Sequence, residues 1–252
     1  MTAERVGNGS GGQSIWLRPE RSGRGPVPEH SRADIASAGI RLADVGGLKA
    51  VTMRSVAAAI GAAPATLYRY VATRDEVVEL MADRVYGEYR YAAGEPGDPV
   101  AAMLGLARQG IEMYRRHPWL LDVRTAGTLP GPNAIDFIDH ALAALAGSGL
   151  GGPAKLETIG LVSGAIRMFA QAEADQRRAG QDLARWQRSL AGYLLPIAAA
   201  GRHPHLAAAL AGRPGSGDGD GGGGGAPEQP VFDRAMSRIL AGLLPDRPGR
   251  AP

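Results

Sequence analysis

Apolar residues recur at helical spacing along nearly the whole chain, and no run alternates convincingly as a strand. Ile35, Ala38, Leu42 and Val45 make a first stripe, opened by Ser31 as N-cap with Asp34 three residues on and closed by Gly46-Gly47. Thr52 caps a second helix that buries Met53, Val56, Ala57 and Ile60. Gly61 ends it, and Pro64 opens a third helix at a position where its missing N–H is not needed. Thr73-Arg74-Asp75-Glu76 reads as a capping box for a fourth helix carrying Val77, Leu80, Met81, Arg84 and Val85 to about Tyr91.

Beyond Gly94-Glu95-Pro96-Gly97 the pattern predicts helices over 98–116, 119–125, 132–146, 155–178 and 181–200, the last interrupted near Pro196, and a final one over 231–244. Residues 148–153 read as a loop. The fold class expected is all-α: a three-helix N-terminal head and a larger helical body.

The third helix carries the chemistry. Leu67 and Val71 point into the small core of the head, which leaves Ala65, Thr66, Tyr68, Arg69 and Tyr70 on the outside. Small, hydroxyl, aromatic and guanidinium groups on one helix suit a major groove and its flanking phosphates. Two short helices at a tight turn make a helix-turn-helix, and the partner implied is double-stranded DNA.

Charge distribution supports this more than the net charge of +3. Residues 31–74 hold Arg32, Arg41, Lys49, Arg54, Arg69 and Arg74 against Asp34 and Asp44, a local net of +4. From Asp75 to Glu88 the sign reverses, as expected of a DNA-binding head on a body that does not touch DNA. Residues 1–30 are rich in Gly, Ser, Pro and Arg and are expected to be a disordered arm, either solvated or ordering on DNA through the patch around Trp16. The domain reading is therefore an arm over 1–30, a head over 31–76, a body over 77–245 with a flexible Gly-rich loop at 212–230, and a tail over 246–252.

Composition narrows the alternatives. The chain has no cysteine, which excludes disulfides, thiolate metal sites and cysteine nucleophiles. Its five histidines are scattered, only His203 and His205 being close, so no metal or cofactor is expected. No apolar run approaches a membrane span and no signal segment is recognisable, so a cytoplasmic protein without membrane association is expected. No nucleophile elbow, phosphate loop or dinucleotide fingerprint is present, and an enzyme is not expected. Met113, Trp119, Phe137, Met168, Phe169 and Trp186 stand out in a body dominated by Ala, Gly and Leu. They either fill the core or line a ligand cavity.

The pattern Thr52-Met53-Arg54-Ser55-Val56-Ala57, Gly61, Thr66-Leu67-Tyr68-Arg69-Tyr70-Val71 and Arg74-Asp75 resembles the head of the tetracycline-repressor (TetR/AcrR) family of bacterial transcription regulators. His117-Pro118-Trp119-Leu120-Leu121 and Leu129-Pro130-Gly131-Pro132-Asn133 look like its C-terminal domain of the tetracycline-repressor type. The resemblance implies a homodimer on a palindromic operator, a small-molecule effector and a four-helix dimer interface, here supplied by the helices at 155–178 and 231–244. It places Arg54, Pro64, Ala65 and Tyr68 against bases, and Met53, Thr66, Arg69, Tyr70 and Arg74 against phosphate or sugar. Arg124 falls near the histidine that helps hold magnesium-tetracycline in the family; a guanidinium does not ligate a divalent cation, so the effector expected is a metal-free apolar or aromatic molecule. The function expected is a ligand-responsive regulator, most simply a repressor. A constitutive DNA-binding dimer without ligand, and an all-α enzyme, are the alternatives.

Overall fold

The computed structural model describes residues 14–20, 29–91, 97–124, 128–180, 183–211 and 230–244. Among these it contains ten α-helices and no strand. The tail at 246–252 and, apart from Pro230, the expected Gly-rich loop lie outside the described residues. Two compact units are distinguished, one of residues 1–170 with 231–252 and one of 171–230.

In the first unit the head consists of α1 (Arg32–Gly46), α2 (Met53–Ala59) and α3 (Pro64–Leu67), followed by α4 (Arg74–Tyr86). Each entry is fixed locally. Ser31 and Asp34 form the reciprocal capping box on α1, and Thr52 and Ser55 form another on α2. Gly61 sits at φ +73°, the left-handed conformation that ends α2 and turns the chain into α3. Thr73 caps α4, but Glu76 does not complete a box with it: its carboxylate takes the Ala72 N–H instead.

The core of the head is Ile35, Val51, Val56, Leu67, Val71 and Val77, all buried. Gly39 lets α4 approach α1 closely, since a Cβ there would lie 2.5 Å from Met81 Sδ. Val45, expected in the α1 stripe, is 93% exposed; buried Gly39 and Ala43 belong to the packed face instead. Helix α4 ends at Tyr86 rather than near Tyr91.

The body continues with α5 (Pro99–Arg116), a 3-10 turn at Pro118–Asp122, α6 (Pro132–Ala144), a 3-10 turn at Ala146–Ser148, and α7 (Gly152–Arg178). The expected helix over 119–125 is thus the short 3-10 turn, and the expected loop at 148–153 already contains the start of α7. Helix α10 (Val231–Leu243) packs on α5, burying Phe232, Met236 and Leu240. The bidentate pair of Arg108 with Asp233 seals that contact, Nη2 to Oδ2 being 2.9 Å.

The second unit holds the end of α7, then α8 (Leu183–Ala199) and α9 (Pro204–Ala211), the last two packed together. Pro196 lies inside α8, so the helix runs through the position where an interruption is expected. Helix α9 has no counterpart in the sequence reading. Among the described residues no helix is long and apolar enough to cross a membrane.

Candidate DNA-binding face and ligand cavity

Helix α3 is one α-turn, prolonged by hydrogen bonds from Arg69 N–H to Thr66 and from Tyr70 and Val71 N–H to Leu67. Leu67 and Val71 are buried, which fixes the rotation of the element about its axis. The residues left outside are those read from the sequence: Pro64, Ala65, Tyr68 and Arg69 are exposed, with Thr66 and Tyr70 half-buried. Tyr68 is 57% exposed, so its ring is open to a partner. Arg54 at the start of α2 is exposed, and Met53 beside it is half-buried.

Arg74 stands apart. Its Nε donates to the Val51 carbonyl at 2.7 Å and its Nη2 to the Leu48 carbonyl at 2.6 Å. Nη1 lies 3.8 Å from Asp75. Most of this guanidinium therefore ties the start of α4 to the turn before α2.

A mostly apolar cavity of about 380 Å³ in the body is partly open and lies between α4, α6 and α7. Glu79, Ala82, Asp83 and Tyr86 line it from one face of α4; Phe137 and Ile138 come from α6, and Leu156, Ile159 and Ser163 from α7. Arg124 and the stretch Thr128–Gly131 complete the wall, together with Trp16. Burial in these apolar surroundings pushes the Tyr86 phenol up to about 12, so the ring stays neutral at physiological pH.

Asp83, buried, accepts from Asn133 Nδ2 at 2.8 Å and from the Ala134 N–H at 3.0 Å. Its carboxylate thereby satisfies N–H groups at the start of α6, which has no side-chain cap of its own. Gly131 makes this possible: a Cβ there would collide with Asp83 and lie 2.7 Å from Trp16 Cζ2.

Of the ligand residues read from the sequence, the cavity brings together Arg124 and Phe137. Met113 is buried and lines a separate groove with Glu88, Arg90 and Arg116. Trp119 is buried and donates its Nε1–H to Asp44, a junction with the head rather than a pocket wall. Phe169 packs edge-on against Phe232, holding α10, and Met168 is 62% exposed. The side chain of Trp186 lies outside the described residues. Arg167 braces the backbone, donating to the carbonyls of Leu120 and Leu121.

Sequence reasoning gave Trp16 to a solvated or DNA-ordering arm rather than to the cavity, and missed Glu79, Asp83 and Tyr86. The last three stand at i, i+4 and i+7 of α4, a signal that period alone carries. Trp16 lies in the segment expected to be disordered. There, instead, Ser14 caps a 3-10 turn at Ile15–Leu17, and Ile15 is fully buried. Among the described residues no group of three or more His, Asp or Glu side chains stands ready to hold a metal ion.

Residues 35–81 match the family of bacterial regulatory proteins named for tetR, and residues 93–245 match the tetracyclin-repressor-like C-terminal domain. The chain is 34% identical over 198 residues to the transcriptional repressor DrrR1 of Streptomyces coeruleorubidus, covering 77% of this chain and 73% of that protein. A helix-turn-helix transcriptional regulator of Saccharopolyspora erythraea is 33% identical over 201 residues, covering 77% and 82%. In fold, the chain is similar to ActR of Streptomyces coelicolor in complex with actinorhodin, with TM-score 0.65 at 23% identity over 86% of this chain and 96% of that one. The exposed recognition face, the capped helix-turn-helix and these matches agree: the chain belongs to the tetR family of bacterial transcriptional regulators and binds DNA through its N-terminal head.

Proposed function

We propose that the protein is a cytoplasmic homodimeric repressor that holds a palindromic operator and releases it when an apolar or aromatic small molecule enters the α4–α6–α7 cavity. One observation carries this reading. The helix that lines the cavity with Glu79, Ala82, Asp83 and Tyr86 is the helix whose first residue, Arg74, is bonded to the head. A ligand that displaces α4 displaces the head with it, and differential affinity for two positions of α4 is what a population shift requires.

The two recognition helices of a dimer must stand about one DNA turn apart, roughly 34 to 36 Å, so a shift of a few ångströms disengages one of them. The cavity clears the roughly 300 Å³ lower bound for ligand sites, which favours this over a constitutive DNA-binding dimer. The actinorhodin complex of ActR and the repressor DrrR1 support the same reading. For dimerisation, α7 presents Leu161 and Met168 on an exposed face with Gly164 between them, small enough for a second helix to approach.

Selection of bound fragments from a random DNA pool tests the reading. It should yield an inverted repeat with half-sites one turn apart, and an apolar aromatic compound that raises the melting temperature should lower affinity for it. A selected site without two-fold symmetry contradicts the dimeric reading.

A further inference from the structure

The segment Ser14–Glu20 joins the cavity, α4 and the start of α1 through Trp16, Arg18 and Glu20. Trp16 forms part of the cavity wall beside Gly131. Ile15 is fully buried. Arg32, the first residue of α1, donates Nη1 to the carbonyls of Ile15 and Arg18, both at 3.0 Å, while Glu20 Oε1 accepts the Arg32 N–H at 2.7 Å. Arg18 Nη2 lies 2.5 Å from Glu76 Oε2, and the same oxygen accepts the N–H of Ala72 at 2.7 Å, one residue beyond the buried Val71 that ends the recognition element.

The two indoles of the first unit differ. Trp119 Nε1 is bonded to Asp44 at 2.8 Å, whereas Trp16 Nε1 is buried and, among the described residues, has no hydrogen-bond partner. A buried donor without an acceptor costs free energy that an arriving acceptor recovers. Tyr86, Phe137 and aliphatic side chains of α6 and α7 line the same cavity as Trp16.

We propose that Trp16 is an effector-recognition residue, donating Nε1–H to an oxygen of a flat aromatic ligand and stacking on it, and that Arg18 transmits occupancy to the head through Glu76 and Ala72. The proposal rests on reading the cavity as the effector site. It assigns the ligand a class: a planar aromatic molecule with an accepting carbonyl or phenolic oxygen on its edge. It also makes the N-terminal segment part of the ligand site.

The test uses the full chain and 3-hydroxyflavone, a planar carbonyl compound whose emission reports apolar surroundings. Binding is measured for wild type, Trp16→Phe, Arg18→Gln and Ile138→Trp, the last filling the cavity from α6. The expected result is that Trp16→Phe, which keeps an aromatic ring in place, weakens the probe about tenfold through the lost hydrogen bond and ring area. Arg18→Gln should bind the probe as wild type does, yet lose most of the probe-induced release of selected DNA. If Ile138→Trp abolishes binding while Trp16→Phe changes it less than about twofold, the cavity reading stands and the role of Trp16 is overturned. Binding unaffected by either variant, or absent in wild type, overturns both. Normal DNA release by Arg18→Gln overturns the transmission step.

Discussion

His117 Nδ1 lies 2.7 Å from Asp44 Oδ1, joining the end of α5 in the body to the end of α1 in the head. The same carboxylate oxygen accepts Trp119 Nε1–H at 2.8 Å, and His117 Nε2 stands 3.2 Å from Glu88 Oε1 just beyond α4. Glu88 is in turn paired with Arg116 at 2.6 Å. The motif His117-Pro118-Trp119 thus supplies two ring N–H groups to one acidic residue of the head. Head and body are bonded at this junction and again along α4.

Removing Asp44 tests the junction. Asp44→Ala leaves the rings of buried His117 and Trp119 without their acceptor, and should cost about 1 to 3 kcal/mol in urea unfolding. Asp44→Asn keeps an acceptor oxygen and should cost less. Equal stabilities for all three proteins would show that the junction adds nothing.

The alkaline limb of stability should belong to the buried tyrosines. Tyr86 ionises near 10 when unfolded but is pushed up to about 12 in the fold, first by burial and then by neighbouring Tyr114. Tyr89 is raised further, again mainly by burial. Because the folded state holds these protons more tightly, their contribution is complete below pH 10 and is lost as pH rises from 10 towards 12. Tyr86→Phe should flatten the fall in melting temperature over that window; an unchanged slope contradicts the assignment.

Dimerisation should depend on the outer face of α7. Leu161→Glu places a charge where Leu161 and Met168 are exposed beside Gly164, so it should leave the fold intact and yield monomers in sedimentation at micromolar concentration. A variant that still sediments as a dimer would move the interface elsewhere.

Within the head, Arg69 and Arg74 should behave differently. Arg69 is exposed on α3, so Arg69→Ala should weaken binding to all DNA sequences and reduce the salt slope by about 1. Arg74→Ala should chiefly lower the melting temperature, since its guanidinium holds the carbonyls of Val51 and Leu48. The opposite pattern would reverse the two roles.

What was legible in the sequence is what short-range physics decides. Ser31, Thr52, Gly61 and Pro64 each fix a backbone event within a few residues, and Leu67 with Val71 sets which side of α3 faces out. The cavity was not legible, because its walls meet only through tertiary packing. Asp83 looks like a surface charge on α4 until α6 presents its start to it. Phe169 and Met168 are adjacent in α7, yet one meets Phe232 and the other solvent, a division that depends on where α10 docks. Trp16 was hidden by composition: a Gly- and Arg-rich arm reads as solvated, although Ile15 and Arg18 hold seven of its residues in place.

The central claim is that cavity occupancy and operator binding exclude one another through α4. The direct measurement is the anisotropy of labelled DNA selected by this protein, titrated with a compound shown by Ile138→Trp to occupy the cavity. The account predicts that the compound weakens the wild-type complex by about 5- to 150-fold, and leaves the Ile138→Trp complex unchanged. A wild-type DNA affinity that stays constant while the cavity fills would contradict it.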